Sequence, residues 1–199
     1  IVMSLAALGL AWHLGTWGFY ATAFAVAAAW AYSAEPVRLK RSGWLGPGLV
    51  GLCYEGIPWF TGAAILVTGL PDPKIILCAA LYAIGAHGIM TLNDFKALEG
   101  DTLLGIKSLP VQLGPRRAAR FACWIMALPQ IVILGAMISW GLMFHAALIG
   151  ALVIGQILAM QKLLKDPEKY APWYNATGVS MFVFGMMICA VGLRGLAAL

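Results

Sequence analysis

Charge is scarce in this chain. Thirteen Lys and Arg and eight Asp and Glu are spread over 199 residues, while 62% of the sequence is apolar. Soluble domains carry about a quarter of their residues charged, so that class is excluded and an integral membrane protein remains, with the lipid bilayer as its solvent. Cysteine is scarce too: Cys53, Cys78, Cys123 and Cys189 stand singly inside apolar runs, with no C-x-x-C pair. Neither a thiolate metal site nor a dithiol redox centre is indicated, and the four read as small buried hydrophobes. The net charge of +5 says little about nucleic acid, because in a membrane chain basic residues mark orientation; no nucleic-acid partner is expected. No signal peptide is visible. The sequence opens at Ile1 already inside an apolar run, so an N-terminal part is expected to precede it.

Apolar runs and their breakers divide the chain into seven segments, which predicts an all-α, multi-pass transmembrane helical bundle. The segments are 1–14, 16–33, 44–70, 74–92, 118–140, 142–164 and 175–193, the first shorter than the roughly 20 residues that a span requires. Polar connectors fall at 34–43 and 71–73, and a charged loop is expected over 165–174. If the spans alternate, eleven of the thirteen basic residues, from Arg38 to Lys169, lie on one side, against Lys74 and Arg194 on the other. By the positive-inside rule the crowded side faces the cytoplasm, which predicts an inner-membrane protein. Trp12, Trp17 and Trp140 sit near one boundary and Trp30, Trp44 and Trp173 near the other, as aromatic belts do. Two soluble-protein patterns are accidents. Gly46–Gly51 matches G-x-G-x-x-G but follows no strand, and the sequon at Asn175 would lie at the cytoplasmic boundary.

The stretch 85–114 carries the chemistry. It leaves an apolar span at Asn93 and then places Asp94, Lys96, Glu99, Asp101 and Lys107 within fifteen residues. Acids at the mouth of a membrane helix are costly unless they bind something. Asp94 and Asp101 are seven residues apart, so on a continuing helix they share a face, where two carboxylates can hold Mg²⁺ while phosphates complete its shell. Gly100 and Gly105 would let the backbone bend over those phosphates, and Lys96 and Lys107 would neutralise leaving charge. A solvated loop of mixed charges at a helix end is the competing reading, and spacing alone does not choose between them.

The residues N-D-F-K-A-L-E-G-D…G-I-K-S-L-P-V-Q-L-G, from Asn93 to Gly114, resemble the second acidic motif of the UbiA-type intramembrane prenyltransferases, in the chlorophyll and bacteriochlorophyll synthase branch. Tyr32-Ser33-Ala34 with Val37-Arg38-Leu39-Lys40 resembles that branch's Y-S-A-P-P-L-K-L-K loop. The stretches 51–63, 85–91 and 171–178 are similar to its bacterial form. The resemblance implies a nine-helix bundle, of which this chain supplies about seven helices as a single domain over 1–199, without the first two. It implies esterification of the propionate of bacteriochlorophyllide by geranylgeranyl or phytyl diphosphate, the last step of bacteriochlorophyll synthesis. Asp94 and Asp101 would hold Mg²⁺, assisted by Asn93 and Glu99, and Lys96, Lys107, Tyr32 and Lys40 would contact diphosphate. Photosynthetic assembly proteins are further partners that it suggests. His87 lies seven residues before Asp94, about 10 Å deeper, and Glu55 stands at similar depth on the preceding span. Either His87 faces the tetrapyrrole with Glu55 orienting its ring, or the two merely tie helices together.

The sequence departs from the family in three places. The other acidic motif, of the N-D-x-x-D-R kind, is not among these residues, so the chain by itself is expected to be inactive. Ala97 stands where many members carry an acid, and the chlorophyll branch also has a small residue there. Glu35 replaces a usual proline and Thr102 a usual arginine. Three other readings stay open: a relative with a quinone or haem acceptor, a non-catalytic pigment-binding or assembly subunit of the same fold, and a transporter. No internal repeat supports the last.

Overall fold

Ten residues of α-helix span only about 15 Å, half of a bilayer's hydrocarbon core. That is the length of α1 (Val2–Ala11). A tight turn at Trp12–Leu14 and Gly15, at φ 77°, reverse the chain into α2 (Gly15–Ser33). The Trp30 indole N–H donates to Ser4 Oγ at 3.1 Å, so the two helices lie antiparallel. The computed structural model describes residues 1–67 and 69–194. Among them, six stretches are long and apolar enough to cross a membrane, with Val2–Ser33 counted as one. The expected seven segments are corrected accordingly: the first two form one hairpin of a short and a full-length helix.

The other spans are α3 (Leu45–Leu66), α4 (Pro73–Asn93), α7 (Pro115–Ser139), α8 (Met143–Leu163) and α9 (Pro167–Leu193). Two short helices, α5 (Leu98–Leu103) and α6 (Leu109–Leu113), lie between α4 and α7. The only β-type pairing among the described residues is a parallel bridge between Ser42 and Lys107. Two boundaries differ from expectation. Helix α3 ends at Leu66, and its middle, Leu52–Gly56, is a π-turn that periodicity could not reveal. The expected charged loop over 165–174 is mostly helix. Asp166 accepts a hydrogen bond from the Lys169 N–H at 3.2 Å and Pro167 takes the first helical position, so α9 starts early. Charge does not stop a helix whose first turns stand clear of the hydrocarbon.

Helix α4 is the most enclosed span and α7 is next. Small residues let their backbones meet. A Cβ on Gly88 would collide with the Ala122 carbonyl oxygen and stand 2.6 Å from Met126 Cγ; one on Gly51 would stand 2.5 Å from the Ala83 carbonyl oxygen. Tyr82, Met126, Ile133 and Phe182 fill the fully buried centre. There Gln130 donates to Gln156 at 3.0 Å, joining α7 to α8. The connectors gather at two ends. Lys74 Nζ lies 5.6 Å from the Trp140 ring centre at one end, while the Ser42–Lys107 bridge and an Asn175–Asn93 hydrogen bond mark the other.

Candidate active site

The continuing helix expected beyond Asn93 does not form. Residues Asp94–Ala97 tighten into a 3₁₀ turn before α5 resumes. Helix α5 then stops at Gly105, whose φ of 66° no β-carbon residue adopts cheaply. The Ile106 N–H reaches back to the Asp101 carbonyl at 2.8 Å, closing a glycine cap. Gly105 therefore bends the chain as expected, and Gly100, inside the helix without positive φ, does not. The returning segment pairs with the connector after α2, where the Gly43 N–H donates to the Lys107 carbonyl at 2.8 Å. That contact needs a glycine: a Cβ at Gly43 would stand 2.5 Å from the same carbonyl oxygen.

These two connectors and the ends of α2, α3 and α4 enclose a cavity of about 590 Å³. Its charge is divided by element. Asp94 and Asp101, both half-buried, come from the end of α4 and from α5; Arg38, Lys40 and Arg41 come from the connector after α2. Tyr32 and Asn93 complete the polar wall, and Val50, Met90, Leu104 and Ile106 make it apolar elsewhere. Asn93 Oδ1 accepts from the Asn175 amide at 3.2 Å, which ties α9 to the mouth. Glu35, outside the wall, holds Arg38 at 2.9 Å and Arg41 at 3.2 Å through one oxygen. The Arg38 guanidinium beside it lowers the Glu35 carboxyl below the usual range.

The structure thus brings together Asp94, Asp101, Asn93, Tyr32 and Lys40. It does not bring in the rest. Lys96 and Glu99 are exposed and lie off the cavity wall, Lys96 on the 3₁₀ turn and Glu99 in α5. Lys107 lines an adjoining outer groove with Trp44 and Gln112, which shares Arg38 and Arg41 with the cavity. His87 and Glu55 are not on the wall either, and their expected pairing is corrected. His87 Nε2–H donates to the Trp44 carbonyl at 3.0 Å, and its Nδ1 lies 3.3 Å from the Thr91 hydroxyl. Glu55 sits in the π-turn of α3, which displaces it from the regular helical face assumed for it. Sequence reasoning gave no site role to Arg41, read as an orientation marker, to Arg38, quoted only as part of the resembling loop, to Ser108, or to Asn175, set aside inside a false sequon.

The wall fits a metal-bound diphosphate. Among the described residues no three His, Cys, Asp or Glu side chains gather to cage a metal ion. Two carboxylates remain, which is the usual protein contribution to Mg²⁺ when substrate phosphates supply other ligands. Two buried polar atoms of wall residues, Arg38 Nε and Ser108 Oγ, have no hydrogen-bond partner. Both can donate, and a phosphate oxygen would satisfy both.

Residues 1–191 match the UbiA prenyltransferase family. The chain is 58% identical over 199 residues to the bacteriochlorophyll synthase 33 kDa chain of Cereibacter sphaeroides, covering 100% of this chain and 66% of that protein. It is 56% identical over 198 residues to the protein of the same name from Rhodobacter capsulatus, covering 98% and 65%. The chain therefore spans just under two thirds of the length of these curated relatives. A solved structure of digeranylgeranylglyceryl phosphate synthase superposes with a TM-score of 0.71 at 19% identity, covering 99% of this chain and 67% of that one, a likeness of fold.

Proposed function

The chain belongs to the UbiA prenyltransferase family, and we propose that its protein esterifies the propionate of bacteriochlorophyllide with geranylgeranyl or phytyl diphosphate, the last step of bacteriochlorophyll synthesis. One observation carries the reading: a single cavity with two carboxylates on one side, from the end of α4 and from α5, and three cations from the connector after α2. Anionic ligands alone would not call for the carboxylates, nor would a bare metal ion call for the cations. A metal–diphosphate needs both. The names of the relatives supply the acceptor.

The reaction makes one ester C–O bond and breaks the allylic C–O bond to diphosphate. The propionate is the nucleophile, so the protein needs no Ser, His or Cys dyad. Arg38, Lys40 and Arg41 face the charge that grows on the departing diphosphate, and Tyr32 adds a hydroxyl donor; such preorganised donors are each worth roughly 10²–10³ in rate. Asp94 and Asp101 would hold Mg²⁺, which when bound neutralises phosphate charge. Asn93 has its oxygen engaged by Asn175, so its amide N–H₂ is the group left for a phosphate oxygen. Val50, Met90 and Ile106, half-buried on the wall, would keep water from the allylic cation. The enzyme sits in the inner membrane with this mouth toward the cytoplasm, the side of the eleven basic residues.

The test uses the full-length protein in detergent. Asp94→Asn and Asp101→Asn should each lower pyrophosphate release at least a hundredfold while the protein stays folded. Near-normal turnover of either at saturating Mg²⁺ would refute the assignment.

A further inference from the structure

Ser108 is 5% exposed, and its hydroxyl has no hydrogen-bond partner. It immediately precedes α6, where a serine ordinarily bonds a backbone N–H of the first helical turn. Here it makes no such bond; Pro110 in that turn has no N–H to offer. Its backbone is committed, since its carbonyl accepts from the Gln112 N–H at 3.0 Å and Gly43 packs against it. The residue is thus fixed in place with its side chain left over. Among the described residues, the other buried atoms without a partner include Gln130 Oε1 and Gln156 Nε2, whose amides are satisfied at their other atoms, and Tyr82 OH, deep in the core. Ser108 and Arg38 differ in belonging to the cavity wall. Arg38 is also the one described non-glycine residue with positive φ, at 39°, a conformation that the fold holds against its natural preference.

We propose that Ser108 is a substrate-contacting residue, its hydroxyl donating to a phosphate oxygen of the prenyl diphosphate beside the Arg38 guanidinium. The inference rests on the prenyl-transfer reading and adds to it a residue that its charges do not identify. Both donors are shielded in the ligand-free protein. Ser108 already lines the cavity, so its hydroxyl is within the wall that a bound phosphate would face. A hydrogen bond to a charged acceptor in such a site is worth about tenfold or more in affinity.

The experiment measures binding of inorganic pyrophosphate to the full-length protein in Mg²⁺ buffer, without pigment, alongside thermal unfolding of the ligand-free protein. Ser108→Ala should weaken pyrophosphate at least tenfold and raise KM for the prenyl diphosphate by a similar factor. Its unfolding midpoint should hold or rise, because a buried hydroxyl without a partner has been removed. Ser108→Thr, which keeps the hydroxyl, should recover most of the affinity. A helix-capping serine would do the reverse, lowering the midpoint and leaving pyrophosphate affinity alone, and that result overturns the proposal. So does unchanged affinity in Ser108→Ala. If the unaltered protein binds no pyrophosphate, the failure belongs to the prenyl-transfer reading itself.

Discussion

His87→Phe separates a helix tie from a pigment ligand, and the structure sets the size of its effect. The imidazole sits between Trp44 and Phe121, with ring centres 6.3 Å and 5.4 Å away, and a phenyl ring keeps both contacts. What it loses is the bond from Nε2–H to the Trp44 carbonyl. That carbonyl is not orphaned, because it also accepts the Gly48 N–H at 3.3 Å. Thr91 is not orphaned either, since its hydroxyl donates to the His87 carbonyl at 3.0 Å. The cost is therefore one net hydrogen bond, about 1 kcal/mol, rather than the larger penalty of a buried group without a partner. In a chain of this size that lowers the unfolding midpoint by about 2–4 °C. A thermal melt in detergent measures the shift, and His87→Gln, which keeps a donor near Nε2, should recover most of it. Bacteriochlorophyllide affinity and the pigment's absorption band should not change in either variant. A tenfold loss of pigment affinity in His87→Phe, at an intact midpoint, would refute the tie and put the imidazole on the pigment.

Topology follows from the two ends of the bundle: a reporter fused at Lys165 should read cytoplasmic and one at Asp72 periplasmic. The opposite pattern would reverse the placement of the cavity. Gly88→Ala should destabilise the protein by about 1–3 kcal/mol, because its Cβ meets Ala122, Ile125 and Met126 of α7. Gly135→Ala, with nothing within 4 Å of the new atom, should hold or raise the unfolding midpoint in the same melt.

Apolar run length by itself determined that this is a helical membrane bundle, because lipid leaves a backbone no other way to satisfy its hydrogen bonds without closing a barrel. The location of the site was also legible locally. Acids at a helix mouth are conspicuous where nearly everything else is apolar, and Asp94 and Asp101 do share a cavity. Which neighbours join them was legible only in part: the family resemblance named Tyr32 and Lys40, and spacing named neither. Arg38 and Arg41 stand more than fifty residues away in sequence, and only the Ser42–Lys107 bridge brings their connector against the acidic one. Lys96 and Lys107 are closer in sequence to the acids yet lie off the wall, because a 3₁₀ turn and the Gly105 cap re-aim the chain in ways no spacing rule registers. His87 shows the same limit. Its depth followed from helical rise, but its partner followed from how closely α3 lies against α4, and Gly51 and the packing around it decide that only in three dimensions. Periodicity is a property of one helix; a site made by several belongs to the packing between them.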